Sequence, residues 1–125
     1  MTSTAKRNIR TYLSGGVIAE GTFVKLTANG VVSQSEANQR AIGIAQSEAT
    51  AAGQPVEVAL PGGGAELKIS EEVALGKMLT SDANGLGEVA DAAGEWVGAV
   101  AYQSGVANDF IDVMVTGFPS QASDA

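Results

Sequence analysis

The chain has 125 residues, no cysteine, no histidine and a formal charge of −7. This length is typical of one domain, and the missing side chains exclude a disulfide framework, a thiolate or imidazole metal site and the commonest general base. No apolar run approaches the roughly 18 residues of a membrane span and no signal peptide is recognisable, so we expect a protein without a membrane partner that is used without export.

Charge is unevenly distributed along the sequence. Lys6, Arg7 and Arg10 lie within the first ten residues, whereas from Tyr12 onward four basic residues stand against all fourteen acidic ones, a net charge of −10. Nucleic-acid surfaces need a basic patch, so an acidic body argues against a nucleic-acid partner. The basic N-terminus is either a solvated tail or an arm that docks on an acidic partner.

Residues 1–13 are predicted to form this extended N-terminal arm, with Ile9, Tyr12 and Leu13 as its possible apolar anchors. The body that follows contains short alternating segments separated by turn signals every eight to twelve residues, which is typical of an all-β domain. The first is TFVKLT (22–27), which meets Asn29-Gly30, a strong hairpin signal, before VVSQS (31–35).

Two further strands complete this first half. AIGIAQS (41–47) contains Gly43 inside an apolar run, where a glycine suggests a bulge or a close approach of another backbone. PVEVAL (55–60) alternates strictly and leads into the glycine-rich PGGGAELKIS (61–70), which predicts a turn and another strand. SEEVALG (70–76) could form a single helical turn, with Ser70 as its cap and Gly76 at its end.

The second half reads as a copy of the first. A shift of 55 residues pairs 19–62 with 74–117 without a gap, and Asn29-Gly30 and Gly43 coincide with Asn84-Gly85 and Gly98. The predicted strands are KMLTS (77–81), LGEVA (86–90), WVGAVAYQS (96–104) and FIDVMVTG (110–117). A fixed period of this kind indicates a structural repeat.

We therefore predict an all-β fold, a small β-sandwich or barrel-like domain built from two related hairpin-rich repeats. Its boundaries are an arm over 1–13, one β domain over 14–118 with repeats at about 18–62 and 73–117, and a flexible tail over 119–125. A copy of about 50 residues would bury too little surface alone, which explains why two would pack together.

No segment makes a convincing cofactor site, and none is expected. GLGEVA (85–90) fits a dinucleotide fingerprint but precedes a strand rather than a helix, and PGGGA (61–65) lacks the lysine of a phosphate loop. DANGLGE (82–88) lacks the bidentate acid of a calcium loop, and a hairpin turn explains Asp82 and Asn84. Trp96 is predicted to lie in the core or in a subunit interface. Without histidine or cysteine an enzyme is not expected.

As an ensemble, these segments resemble a known family. The pattern G-x-F-V-K-L-x-x-N-G, A-I-G-I-A and A-A-G-Q-P-V-E-V-A-L-x-G, with its echo from G-K-M-L-T-S-D-A-N-G to I-D-V-M-V-T-G, is similar to the small capsid cement or decoration proteins of tailed phages. The resemblance covers roughly residues 15–117.

The resemblance implies a non-enzymatic protein of the virion, assembled in the host cytoplasm. It would bind the outside of an expanded head as a trimer and clamp neighbouring subunits of the major capsid protein. The arm would reach the capsid by strand addition through Lys6, Arg7, Ile9, Arg10 and Tyr12. The alternative is another virion surface module, such as a head fibre base or a carbohydrate-binding domain.

Overall fold

The computed structural model describes residues 8–37, 39–91 and 95–121, and of 117–121 the backbone alone. Within these ranges the chain forms ten strands and no helix, which confirms the all-β prediction. The strands are β1 (Ile9–Ser14), β2 (Phe23–Ala28), β3 (Val31–Gln34), β4 (Gly43–Ala45), β5 (Pro55–Ala59), β6 (Gly64–Lys68), β7 (Met78–Ser81), β8 (Gly87–Val89), β9 (Trp96–Ala101) and β10 (Phe110–Gln121).

The first five strands close into a barrel in the order β1-β3-β2-β4-β5. Strand β1 closes it, because Ile9 to Leu13 pair antiparallel with β5 while Leu13 and Ser14 pair in parallel with Val31 and Val32 of β3. The predicted arm boundary at residue 13 is therefore wrong. Residues 9–13 belong to the barrel, and residues 1–7 of the predicted arm lie outside the described residues.

Strand alternation fills the barrel interior. Val56 and Val58 of β5 are fully buried, whereas Pro55 and Glu57, which alternate with them, are exposed, as a period of two requires. They pack with further buried apolar side chains, Ile18, Val24, Val32, Ala45 and Ala49. Buried Ser14 is satisfied: its Oγ donates to the carbonyl of Ala51 at 2.7 Å and accepts from the amide of Gln54 at 3.2 Å.

The last five strands form a second sheet in the order β6-β10-β9-β7-β8. Adding 55 to the residue numbers of a barrel strand gives a strand of the second sheet, and the two strands have equivalent neighbours in their sheets. On this basis β1, β2, β3, β4 and β5 correspond to β6, β7, β8, β9 and β10. The parallel bridge between Ile69 and Gly87 corresponds to the pair Ser14 and Val32, so the second sheet approaches the same closure through a single bridge. The two halves thus share one strand arrangement.

The offset of 55 residues between the two halves does not hold for β4 and β9. Val24 of β2 pairs with Gly43, whereas its counterpart Leu79 of β7 pairs with Ala99. The structural counterpart of Gly43 is therefore Ala99, and the predicted equivalence of Gly43 and Gly98 is wrong. Eight residues separate Gln34 from Gly43, whereas nine separate the equivalent Val89 from Ala99. Nine residues then separate Ala45 from Pro55, whereas eight separate Ala101 from Phe110, which restores the 55-residue offset.

Two further sequence predictions are corrected. Residues 70–76 contain no helical turn, because Val73 is buried and bridges Gly105 as a strand residue would. The predicted tail began at residue 119, but β10 continues to Gln121 and pairs again with β9 after a register shift that follows Val115. The rest of the tail, 122–125, lies outside the described residues.

The barrel and the second sheet are joined by apolar contact and by backbone hydrogen bonds. Phe23 belongs to β2 of the barrel, but its side chain packs among the buried side chains of the second sheet and is 1% exposed. Its amide donates to the carbonyl of Gly85 at 2.8 Å, and the amide of Lys68 donates to the carbonyl of Gly21 at 2.8 Å. The outer face of the barrel and the second sheet therefore share one apolar cluster, which is distinct from the cluster that fills the barrel interior.

Gly98 makes room for the ring of Phe23. A Cβ built at Gly98 would lie 2.6 Å from Cε1 of Phe23, too close for a carbon contact. We expect Gly98→Ala to lower the free energy of unfolding by about 1–3 kcal/mol through overpacking. In a Phe23→Leu background the same change should cost less than about 0.5 kcal/mol, as measured by urea unfolding in a double-mutant cycle. Equal costs in both backgrounds would exclude a steric role for the ring.

Candidate functional site

The two Asn-Gly turns occupy different environments. Gly30 has a φ of +72° and open space around it, whereas Gly85 has a φ of +79° and lies against Thr22 and Phe23 of the barrel. Both conformations favour glycine. The second turn is therefore part of the junction between the two halves, and only the first remains on the surface.

A hydrogen-bonded turn accounts for the carboxylate of the second hairpin. Asp82 accepts the amides of Asn84 at 2.8 Å and Leu86 at 2.9 Å through Oδ1. This is the local pattern by which aspartate stabilises turns. Among the described residues no cluster of acidic side chains has the arrangement that would hold a metal ion.

A groove of about 240 Å³ lies between the barrel and the β9–β10 end of the second sheet. Tyr12 and Leu60 line it from the barrel, and Trp96 and Val115 line it from the second sheet. A shallower depression over Leu26, Arg40 and Ile42 adjoins it. Here "the groove" denotes the first cavity together with this depression.

The walls of the groove are mainly apolar, and its charge is positive. Arg40 is the charged residue among the described residues of the lining, and the guanidinium carbon of Arg10 lies 5.6 Å from the centre of the ring of Tyr12, another lining residue. That distance fits a cation–π contact. Neither arginine forms an ion pair within residues 8–37, 39–91 and 95–121, where Lys25 and Glu36 make the one salt bridge.

The N-terminal segment leaves the barrel at the rim of the groove. The amide of Leu60 donates to the carbonyl of Asn8 at 2.7 Å, and Nδ2 of Asn8 donates to the carbonyl of Pro61 at 3.2 Å. Leu60 and Pro61 both line the groove. Asn8, the first described residue, is therefore fixed at this rim.

The structure separates the residues predicted for the arm. Ile9, Arg10 and Tyr12 are held in β1 by pairing with β5, so they belong to the barrel and not to an extended arm. Lys6 and Arg7 lie outside the described residues. Tyr12 is half-buried and Arg10 is exposed at the same end of the barrel.

Two groove residues were not recognised as a site from the sequence. Arg40 lies in the connection between β3 and β4 with no neighbouring motif, and Trp96 was assigned to a core or an interface. Trp96 is half-buried at the start of β9 and lines the groove. The one sequence signal was that Arg40 is among the few basic residues of an acidic body.

An acidic group lies on the hairpin of β7 and β8. Partial burial raises the pKa of Glu88, and the nearby carboxylates of Asp82, Glu71, Glu95 and Asp91 raise it further. Burial and the repulsion between carboxylates both disfavour ionised Glu88 in the folded state relative to the unfolded chain.

Replacing Glu88 should therefore stabilise the protein. Between the ordinary glutamate pKa and the raised one, the folded state binds more protons than the unfolded state, so stability falls as pH rises through that window and stays lower above it. Glu88→Gln should add about 0.5 kcal/mol to the free energy of unfolding at pH 7 and flatten this fall. Urea unfolding from pH 4 to 8 measures both, with the exposed Glu48→Gln as the matched control. An equal gain in the control would attribute the effect to net charge.

Within the described part of the chain, no helix has the length and apolar character needed to cross a bilayer. No protein-family model matches the sequence, and no curated protein matches it. Among solved structures, the fold is similar to the crystal structure of the N base of the head fibre gp8.5 of bacteriophage phi29. The TM-score is 0.70 over 94% of this chain and 100% of that chain, at 12% sequence identity. At this identity the likeness shows a shared fold.

Proposed function

We propose that the chain is a structural protein of the outer surface of a tailed-phage head, a module of the head-fibre-base kind. The observation that carries the proposal is the fold match to the phi29 head fibre base, which spans 94% of this chain and all of that one. The match includes both the barrel and the second sheet rather than one common motif. A shared fold alone permits many functions, so a second line of support is needed.

The sequence resemblance supplies that second support. The segments from Gly21 to Gly117 resemble cement proteins of phage heads, and the fold resembles a head fibre base. Both likenesses concern proteins of the phage head. The mainly apolar groove, with arginine as its charged lining residue, is suited to contact with another protein rather than to acid–base chemistry.

Clamping is the second candidate function. A cement protein joins neighbouring capsid subunits and raises the resistance of the shell, whereas a fibre base anchors an appendage without that requirement. The resemblance of the sequence favours clamping, and the fold match favours anchoring. We place the anchoring function first because the fold match covers nearly the whole chain.

Self-association belongs to the same proposal. Several large apolar side chains are more than half exposed, namely Val17, Leu26, Leu75, Tyr102 and Val106. Oligomers bury such side chains, and several weak contacts per particle add up to tight attachment. We propose a homotrimer that binds the major capsid protein on the virion surface after synthesis in the host cytoplasm.

Cosedimentation with purified expanded heads that lack the protein tests the proposal. The expected result is saturable binding to the shell, with light scattering giving a trimer in solution. Heating the decorated and bare heads then separates the two functions, because a clamp raises the temperature at which heads release DNA and an anchor leaves it unchanged. Absence of binding to expanded heads would overturn the proposed function.

A further inference from the structure

The molecule has a positive pole at the groove. Of the five basic residues in the described part of the chain, Arg40 lines the groove and Arg10 contacts Tyr12 in its wall. The other three, Lys25, Lys68 and Lys77, are dispersed along an acidic body. Both arginines of the described residues therefore lie at the apolar groove.

The composition of the groove selects the chemistry of its occupant. Apolar walls favour an apolar side chain, and a guanidinium at the rim forms strong paired hydrogen bonds with a carboxylate. Among the described residues, no acidic side chain lines the cavity and competes for Arg40. A basic or uncharged occupant would leave Arg40 without a partner of opposite charge.

The shape of the groove limits the occupant further. The first cavity has a volume of about 240 Å³, and the adjoining depression of about 320 Å³ is open to solvent. A small cavity that continues into an open apolar surface suits a protein segment that inserts one or two side chains. The exposed side chain of Leu26, 52% accessible, extends the apolar surface beyond the cavity.

We propose that the groove binds an acidic, apolar segment of the shell protein, with an apolar side chain between Tyr12 and Trp96 and a neighbouring carboxylate on Arg40. This inference rests on the proposed function for the identity of the partner. Electrostatic attraction between an acidic segment and the positive pole speeds the encounter, and the apolar contact retains the partner.

Tryptophan fluorescence gives a direct test that does not need the head. Trp96 is the one tryptophan of the chain and lines the groove. The probes are octapeptides that carry Leu or Phe next to Asp or Glu, compared with the same peptides after Asp and Glu are replaced by Lys. We expect the acidic peptides to shift Trp96 emission saturably and the lysine versions to leave it unchanged.

Charge reversal makes the test specific. Arg40→Glu should weaken binding of the acidic peptides at least tenfold, and Arg40→Lys should weaken it less. The matched control Lys77→Glu should leave binding unchanged, since Lys77 is exposed in the connection before β7. Binding should also weaken as salt rises. Equal binding by Arg40→Glu, a response to lysine peptides or oligosaccharides alone, or no response to any acidic peptide would overturn the inference.

The chain's own residues 122–125, which include Asp124, are the competing occupant. If they fill the groove, their deletion and Arg40→Glu will each shift Trp96 emission in the unliganded protein to the same degree, and this outcome also overturns the inference. Binding to whole heads distinguishes this inference from the proposed function. Peptide binding without head binding refutes the proposed function and retains the groove, whereas head binding that survives Arg40→Glu unchanged refutes the groove.

Discussion

A chain that lacks residues 2–13 is expected to lose the cooperative unfolding transition of the barrel, whereas one that lacks only residues 2–7 keeps it. Strand β1 pairs with β5 over five residues and with β3 at its end, so its loss opens the barrel on both sides. Opening would expose the buried faces of Val32, Val56 and Val58. Domains are usually stable by only about 5–15 kcal/mol, so the loss of this strand is expected to unfold the barrel.

Circular dichroism and urea unfolding of the two truncated chains measure this difference. The shorter deletion serves as the control, because it removes Lys6 and Arg7 but leaves every described strand, and it should change stability by less than about 0.5 kcal/mol. A native spectrum and an unchanged transition after the longer deletion would restore residues 9–13 to the role of an arm.

Substitution of Gly43 should have the next largest effect. A Cβ at this position would overlap the carbonyl oxygen of Ala59 and approach Cγ1 of Val58 at 2.8 Å. Ala59 is a backbone partner in the adjoining strand, so the obstacle cannot move aside as a flexible side chain would. Gly43→Ala is expected to lower the free energy of unfolding by about 3 kcal/mol, and Gly43→Val by more.

Two matched changes check the cause. Gly16→Ala adds the same methyl group where nothing lies within 4 Å, and it should be close to neutral. Ala99→Gly removes the methyl group at the structural counterpart of Gly43 and should cost no more than about 1 kcal/mol. A Gly43→Ala protein as stable as Gly16→Ala would show that Ala59 accommodates the added atom.

The sequence predicted most of the strands because their evidence is local. In β5 alternation marks Val56 and Val58 as buried, and Asn-Gly marks both hairpins. Strand β1 was assigned to an arm because its exposed Ile9 and Leu13 and its polar Arg10 give no inward apolar pattern. Its place depends on pairing with strands more than 15 residues away, which local periodicity cannot reveal.

The shift between the halves was also beyond the sequence. Glycine and alanine are frequent enough for Gly43 and Gly98 to coincide by chance, while the ladders pair Gly43 with Val24 and Ala99 with Leu79. A slip of one residue reverses the faces of a strand, so the compensating change in loop length is required to keep β9 in the sheet correctly oriented. Loop length of this kind leaves no periodic signal.

The groove could not be predicted because its lining comes from separate parts of the chain. Tyr12, Arg40, Leu60 and Trp96 are contributed by β1, two connections and β9. Each residue alone fits an ordinary alternative, a core aromatic or a solvated arginine. The positive pole emerges once β1 and the connection before β4 are brought to the same end of the barrel.

A cryo-electron microscopy reconstruction of expanded heads saturated with the protein tests the central claim most directly. The account predicts density on the outer surface of the shell, with the end that carries Tyr12, Arg40 and Trp96 facing an acidic segment of the shell protein. Density that presents this end to solvent and contacts the shell through the opposite end would contradict the docking surface. Heads without added density would contradict attachment to the head itself.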